Sequence, residues 1–249
     1  MNLPFTVMRS GRILEESSLV SNILFVMTGA RYWTLKNGHR HPTGYWAEEF
    51  VSPYRAFTEA GHHITVATPG GVVPAVDTMS LRASMAGSEE TSLELEAVIE
   101  AAEELRRPAV LRDVRLDDYD AVFYPGGHGP MEDLAFDLDS GMVLRKALAS
   151  GKPLGIVCHA PAGLLATRDE HGHTPFADYR VTGFTNDEEA AVGFADKAEW
   201  LMEDRVRDLP TQYSRGPAWE VYTVVDRNLY TGQNPASSGP VAVEMLKAL

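Results

Sequence analysis

Leu154-Gly155-Ile156-Val157-Cys158-His159-Ala160-Pro161-Ala162-Gly163-Leu164-Leu165 is the stretch on which the reading of this chain turns. Four apolar residues of strand character run without a break into a cysteine and a histidine, and small residues then open a helix. Pro161 is tolerated in that first turn, where a missing N–H leaves nothing unbonded. A strand that passes straight into a helix sets the junction side chain on a sharp elbow. Cys158 is the only cysteine among the 249 residues, so it makes neither an internal disulfide nor a cysteine-based metal cage. Two readings follow from the local pattern. Either Cys158 is a nucleophile whose thiolate is favoured by the positive end of the helix, or it is an inert cysteine in a core strand. His159 is either a proton carrier of near-neutral pKa or a polar residue of the first helical turn.

Outward from this elbow, strand-like and helix-like segments alternate. Asn22–Met27, His63–Ala67 and Ala121–Tyr124 are apolar runs that stop at Thr28-Gly29, Pro69-Gly70-Gly71 and Pro125-Gly126-Gly127-His128-Gly129. Helical spacing marks Tyr45–Ala60, Thr91–Leu105 and Val143–Ala149. Val221–Val225 and Leu229–Gly232 suggest a terminal strand pair, and a last helix is expected from Val241 to Leu249. Such alternation predicts an α/β fold, a mainly parallel sheet with helices on both faces. Ligands of such sheets sit beyond the carboxyl ends of the strands, so Thr28-Gly29, Gly126–Gly129 and Cys158-His159 are expected to converge on one pocket. The glycines let the Gly127 N–H pair with that of His159 as an oxyanion hole, with a plain turn as the alternative.

Residues 1–21 read as a polar extension without the apolar core of a signal peptide, and 22–249 as one domain. The stretch 75–118 is longer and more charged than a crossover requires and is treated as an insertion. No run reaches the roughly 18–20 apolar residues of a membrane span, and a cytoplasmic protein is expected. A net charge of −13 speaks against nucleic-acid and anionic-membrane partners.

Three further sites bear on chemistry. On the helix from Tyr45, Trp46, Phe50, Pro53 and Phe57 form an apolar stripe that Glu49 borders, whereas Glu48 falls on the opposite face and is expected in solvent. A carboxyl turned toward the core keeps its proton and can donate it to a thiolate; the alternative is an ordinary surface acid. Ser52-Pro53 also reads as a cap that restarts the helix. Asn186 and Glu189 have the spacing of a capping box, although Glu189 could instead orient the His159 imidazole. His39 and His41 alternate in an extended segment but lack a third ligand at helical spacing, so no metal is assigned.

Gly155–Ala162, Gly126–Gly129, Thr182-Gly183-Phe184-Thr185 and Thr231–Ser237 together resemble the PfpI superfamily, whose members share a flavodoxin-like sandwich with class I glutamine amidotransferases. Thr43-Gly44 followed by Glu49 and Pro53, with Gly216-Pro217-Ala218-Trp219, looks most like its heat-shock-chaperone branch, which includes the glutathione-independent glyoxalases (glyoxalase III). The resemblance spans roughly residues 22 to 246. It implies a flavodoxin-like three-layer sandwich, Cys158 as nucleophile, His159 as its partner, Glu49 as the acid against the cysteine and Glu189 as the triad acid. Gly127 and His159 would form the oxyanion hole. The implied reaction converts a 2-oxoaldehyde such as methylglyoxal to a hydroxy acid without a cofactor, and the implied assembly is a homodimer. A cysteine amidase or peptidase and a redox-responsive stress chaperone are the alternatives within the same superfamily. Tyr32, Trp33, Tyr45 and Trp46 are placed to narrow the pocket.

Overall fold

A computed structural model describes residues 20–249, and the polar stretch 1–19 lies outside them. Seven strands form one sheet in the order Thr223–Asp226, Leu229–Gly232, Leu154–Val157, Ala121–Tyr124, Asn22–Val26, His63–Thr68, Ala109–Val110. All neighbours are parallel except the first two, which pair antiparallel across the turn Arg227-Asn228. Arg227 takes a left-handed φ of 56°, as tight hairpin turns require.

The central strands read as unbroken apolar runs because helices cover both faces and alternate side chains serve each. Leu24 and Val26 pack one way, against the helix Leu138–Ser150 and the turn of 3₁₀ helix Ala160–Thr167. Ile23 and Phe25 pack the other way, against the helices Ala47–Glu59 and Pro235–Leu246. Phe25 meets Phe50 and Phe57 edge-on at 5.9 and 6.0 Å, so truncating any of the three to alanine would cost roughly 3–5 kcal/mol. The chain thus has the expected three-layer α/β sandwich. Among the described residues no helix is long and apolar enough to cross a membrane.

Several boundaries differ from the sequence expectation. Pro53 sits inside one continuous helix, so Ser52-Pro53 restarts nothing. The last helix begins at Pro235, because the Asn234 side chain accepts the Ser237 N–H and caps it. The helix beginning at Glu89 is capped by Ser88 and gives way at Ala102 to a 3₁₀ turn. The segment 75–118 is tied to the body at its start, where the Tyr45 N–H donates to Ala75 O and the Asp77 N–H to Tyr45 O. It later supplies the edge strand Ala109–Val110.

Candidate active site

Cys158 stands at the junction of the strand Leu154–Val157 and the 3₁₀ helix Ala160–Thr167, with a left-handed φ of 57°. A non-glycine residue pays about 1–3 kcal/mol for such a conformation. Two backbone bonds hold it there: Cys158 N–H donates to Gly232 O at 2.9 Å, and Phe184 N–H donates to Cys158 O at 2.8 Å. The elbow predicted from sequence is therefore present, clamped from both sides.

The strain turns consecutive side chains toward each other. Cys158 Sγ lies 3.2 Å from His159 Nδ1. His159 Nε2 is 2.7 Å from Glu189 Oε2, and the other oxygen, Oε1, is 2.9 Å from His128 Nε2. One carboxylate thus anchors two imidazoles, whose rings are 4.3 Å apart. Trp33 stacks on the outer face of His128 at 4.5 Å. All four polar residues are buried. Burial favours a neutral Glu189, but the two imidazoles outweigh it and hold the carboxyl well below its ordinary range. Burial, followed by the neighbouring His128, pushes the His159 imidazole down. With its Nε2–H committed to an anion, neutral His159 presents Nδ1 to the thiol as an acceptor.

Glu49 approaches from the other side. It lies in the first turn of the helix Ala47–Glu59 and is fully buried. Gly126 N–H donates to its Oε2 at 2.7 Å. The carboxyl lies against the Cys158 thiol, yet Oε1 has no partner of full hydrogen-bond geometry. Burial pushes Glu49 up to about 8. Burial and the Glu49 carboxyl push the Cys158 thiol well above its ordinary value, against a smaller opposing effect of the Gly127 N–H. This overturns the expectation that a helix end holds Cys158 as thiolate. The following helix is of the 3₁₀ type, and two buried acids in contact resist carrying two negative charges.

Glycine is required at this meeting point. A Cβ on Gly126 would come within 2.7 Å of Glu49 Oε2 and Val157 O, and 2.9 Å of Cys158 Cβ. Gly127 has a φ of 93°, and a Cβ there would strike Gly44 O and Trp46 N at 2.5 and 2.7 Å. The backbone of Gly127 therefore reaches the sulfur because nothing projects from it.

Other expectations are corrected by longer-range packing. The capping box belongs to Thr185 and Glu188, one residue before the expected pair, which leaves Glu189 free for the imidazoles. Glu188 is wholly structural, accepting from Thr185 N and Oγ1, Trp219 N, Gln233 Nε2 and Asn234 Nδ2 at 2.8 to 3.1 Å. Thr28-Gly29 does not join the pocket, because its hydroxyl and N–H bind the Asp133 carboxylate. Of the four aromatics expected to narrow the pocket, Trp46 lines it, Trp33 backs His128, Tyr45 is buried in the core, and Tyr32 lines a separate cavity. Glu48 is half-buried and faces a cavity, not open solvent. In the sequence His128 reads only as part of a glycine turn; the signal that marks it is a ring nitrogen in a strand-end turn.

A chamber of about 20 Å³ adjoins Cys158, lined by Trp46, Met79, Gly127, His128, His159 and Phe184 among others. An outer cavity of about 580 Å³ continues from it, sharing Trp46, Met79, Val192, Trp219 and Pro235. Among the described residues the side chains close enough to share a metal ion are His128, His159 and Glu189, within 4.8 Å of one another. Their Nε2 and carboxylate atoms already satisfy each other by hydrogen bonds. His39 and His41 do not belong to this group.

Comparison with known proteins gives the family and the fold. The sequence pattern of the DJ-1/PfpI family matches residues 43–248. The protein/nucleic acid deglycase HchA of Staphylococcus aureus is 30% identical over 91% of this chain and 80% of its own length. The X-ray structure of the Rapid Encystment Protein of 24 kDa from Francisella tularensis superposes with a TM-score of 0.80 at 26% identity, covering 92% of this chain and 99% of that one. The crystal structure of glyoxalase III from Candida albicans superposes with a TM-score of 0.77 at 24% identity, covering 92% and 97%.

Proposed function

The chain belongs to the DJ-1/PfpI family, and from that membership and the site above we propose that it is a cysteine-dependent, glyoxalase III-type enzyme converting 2-oxoaldehydes to 2-hydroxy acids. The observation that carries the reading is Glu49, a fully buried carboxyl with a pKa near 8, set against the thiol of a complete Cys158–His159–Glu189 triad. A triad alone serves hydrolysis. A second acid that exchanges its proton near neutral pH is what a carbon-to-carbon proton shift demands.

The geometry supports the following sequence. His159 Nδ1 takes the thiol proton, aided by the ionised Glu189 that holds its other nitrogen. The thiolate sulfur bonds to the aldehyde carbon, and the oxygen charge that develops there faces the backbone N–H groups of Gly127 and His159. Glu49, whose pKa near 8 lets it exchange a proton close to neutral pH, removes the proton from the former aldehyde carbon. The electron pair moves toward the ketone carbon, and returning the proton there gives a thioester of the 2-hydroxy acid. Water then adds to the thioester carbonyl, the carbon–sulfur bond breaks, and the thiolate regains its proton. One carbon is oxidised as its neighbour is reduced, so the balance requires no external oxidant or reductant.

In this proposal His128 is a positioning residue: its bond to Oε1 fixes the plane of Glu189 and hence the direction of His159. The name of the staphylococcal relative specifies protein and nucleic acid deglycation, and the same thiol addition to a carbonyl adduct accommodates such substrates. A net charge of −13 argues for presentation of a small carbonyl group over tight binding of nucleic acid.

A cysteine hydrolase is the second reading, favoured by the completeness of the triad. Both are tested by methylglyoxal loss and lactate appearance, without glutathione, for wild type, Cys158→Ala and Glu49→Gln. The glyoxalase reading expects lactate from wild type and from neither variant. Absence of wild-type turnover, with ester or amide hydrolysis that survives Glu49→Gln, would replace it with the hydrolase reading.

A further inference from the structure

The chamber beside Cys158, at about 20 Å³, is close to the roughly 10–15 Å³ that admits a single water. It accommodates the reacting carbonyl and little else. Whatever else a substrate carries lies in the outer cavity. That cavity, at about 580 Å³, falls within the roughly 300–1,000 Å³ typical of sites that enclose whole small molecules. The methyl group of methylglyoxal would leave most of it to water.

The lining is aromatic and thioether-rich: Trp46 and Trp219 from the body, Met79 and Met85 from the segment that begins at Ala75. Methionine adapts its shape to a flat or branched apolar body, and tryptophan faces favour aromatic rings. The polar groups of the lining are Glu48, Ser84 and Asn234. Asn234 is committed, its Nδ2 to Glu188 and Glu220 O and its Oδ1 to the Ser237 N–H and hydroxyl. Ser84 is exposed. The Glu48 carboxyl is the half-buried polar group left facing the cavity.

We propose that the outer cavity is a subsite for the substituent on the ketone carbon, that it selects 2-oxoaldehydes bearing an aryl or comparably bulky apolar group with a terminal hydroxyl, and that Glu48 is the specificity-determining residue that receives this hydroxyl. The inference rests on the 2-oxoaldehyde reading above and names its substrate class. A neutral hydroxyl fits better than a charged end. Burial pushes Glu48 up from its ordinary value, and a carboxyl oxygen accepts a hydrogen bond from a hydroxyl whether or not it carries a proton. Anionic ends meet the neighbouring acids Glu48 and Glu49 together with a net charge of −13.

The test compares methylglyoxal, phenylglyoxal and para-hydroxyphenylglyoxal as substrates of wild type, Glu48→Leu and Glu48→Gln. Wild-type kcat/KM is expected to rise roughly 10–200-fold from methylglyoxal to phenylglyoxal, and a further factor of about 3–10 with the hydroxyl, chiefly through KM. Glu48→Leu should bring the ratio of the two aryl substrates to unity, and Glu48→Gln should retain part of it. Methylglyoxal matching phenylglyoxal, or a hydroxyl preference that persists in Glu48→Leu, would overturn the proposal. A second readout needs no turnover: tryptophan quenching by acetophenone and para-hydroxyacetophenone, which lack the aldehyde. Tighter binding of the hydroxylated ketone, lost in Glu48→Leu, supports the subsite even if no 2-oxoaldehyde is consumed, an outcome that would sink the reaction reading alone. Turnover of methylglyoxal with no binding of either ketone does the reverse.

Discussion

Glu49 and Glu189 are both buried carboxyls of one site, Glu49 against Cys158 and Glu189 against His159, and the first holds its proton where the second is an anion. Glu189 meets two imidazoles, and their positive N–H groups offset the loss of water. Glu49 meets one backbone N–H and a thiol, with no cation near among the described residues, and burial raises it to about 8. The difference is one of partners, not depth. An acid given two donors of partial positive charge becomes a fixed anion that aims a base, and an acid given an acidic neighbour becomes a carrier of protons.

Removing the carrier has the largest expected effect. Glu49→Gln keeps an oxygen for the Gly126 N–H but cannot titrate, so kcat for 2-oxoaldehyde conversion should fall on the order of 10³-fold. The same change removes the carboxyl that pushes the thiol up, so Cys158 alkylation by iodoacetamide should titrate at lower pH than in wild type. An unchanged alkylation profile would separate the two acids and break the comparison at its centre.

Stability against pH is next. A folded-state pKa raised to about 8 means that ionising Glu49 disfavours the fold. Wild type should therefore lose stability relative to Glu49→Gln as pH rises from the ordinary carboxylate range, with the gap levelling above about pH 8. The full gap is on the order of 5 kcal/mol. Glu189 has the opposite sign: its depressed pKa stabilises the fold above the ordinary range, and that contribution disappears as pH falls below it. Chemical denaturation of both Gln variants from about pH 2 to about pH 9 reads the two trends, that of Glu189 below about pH 4 and that of Glu49 above it. Parallel trends would refute the contrast.

Glu189→Gln should lower kcat roughly 10²-fold, less than Glu49→Gln, because Cys158 and His159 remain in contact and lose only the orienting charge. His128→Gln is a milder version of the same change, since the Oε2 bond to His159 persists. The smallest catalytic effect is expected at the adjacent acid. Glu188 touches backbone N–H groups, two amides and the Thr185 hydroxyl, and none of the reacting residues, so Glu188→Gln should leave kcat within about threefold while melting falls by roughly 2–10 °C. Loss of catalysis without loss of melting temperature there would mean that the two neighbouring glutamates exchange roles.

The elbow was legible because a parallel central strand has a signature of its own, four apolar residues ending at a residue that starts a helix. Glu49 was legible from helical periodicity beside Phe50 and Phe57. For Glu189 the local pattern leaves cap and triad acid both open and only the resemblance favours the second, since Thr185 and Asn186 are both good caps and the pattern cannot choose between Glu188 and Glu189. Glu48 was misread for a different reason. Its face of the helix becomes a cavity wall only when Met79 and Met85 fold across from the distant segment beginning at Ala75. His128 sits in a turn that its glycines alone explain, so the local pattern does not mark the imidazole. Contacts set by chain segments far apart in sequence leave no local periodicity to read.

The contrast is tested most directly by infrared difference spectroscopy of the carboxyl groups across neutral pH. A protonated carboxyl band should be present at pH 7, titrate near pH 8, vanish in Glu49→Gln and survive Glu189→Gln. A band that is absent at pH 7, or that disappears with Glu189 in place of Glu49, would contradict the assignment of carrier and anion on which the mechanism stands.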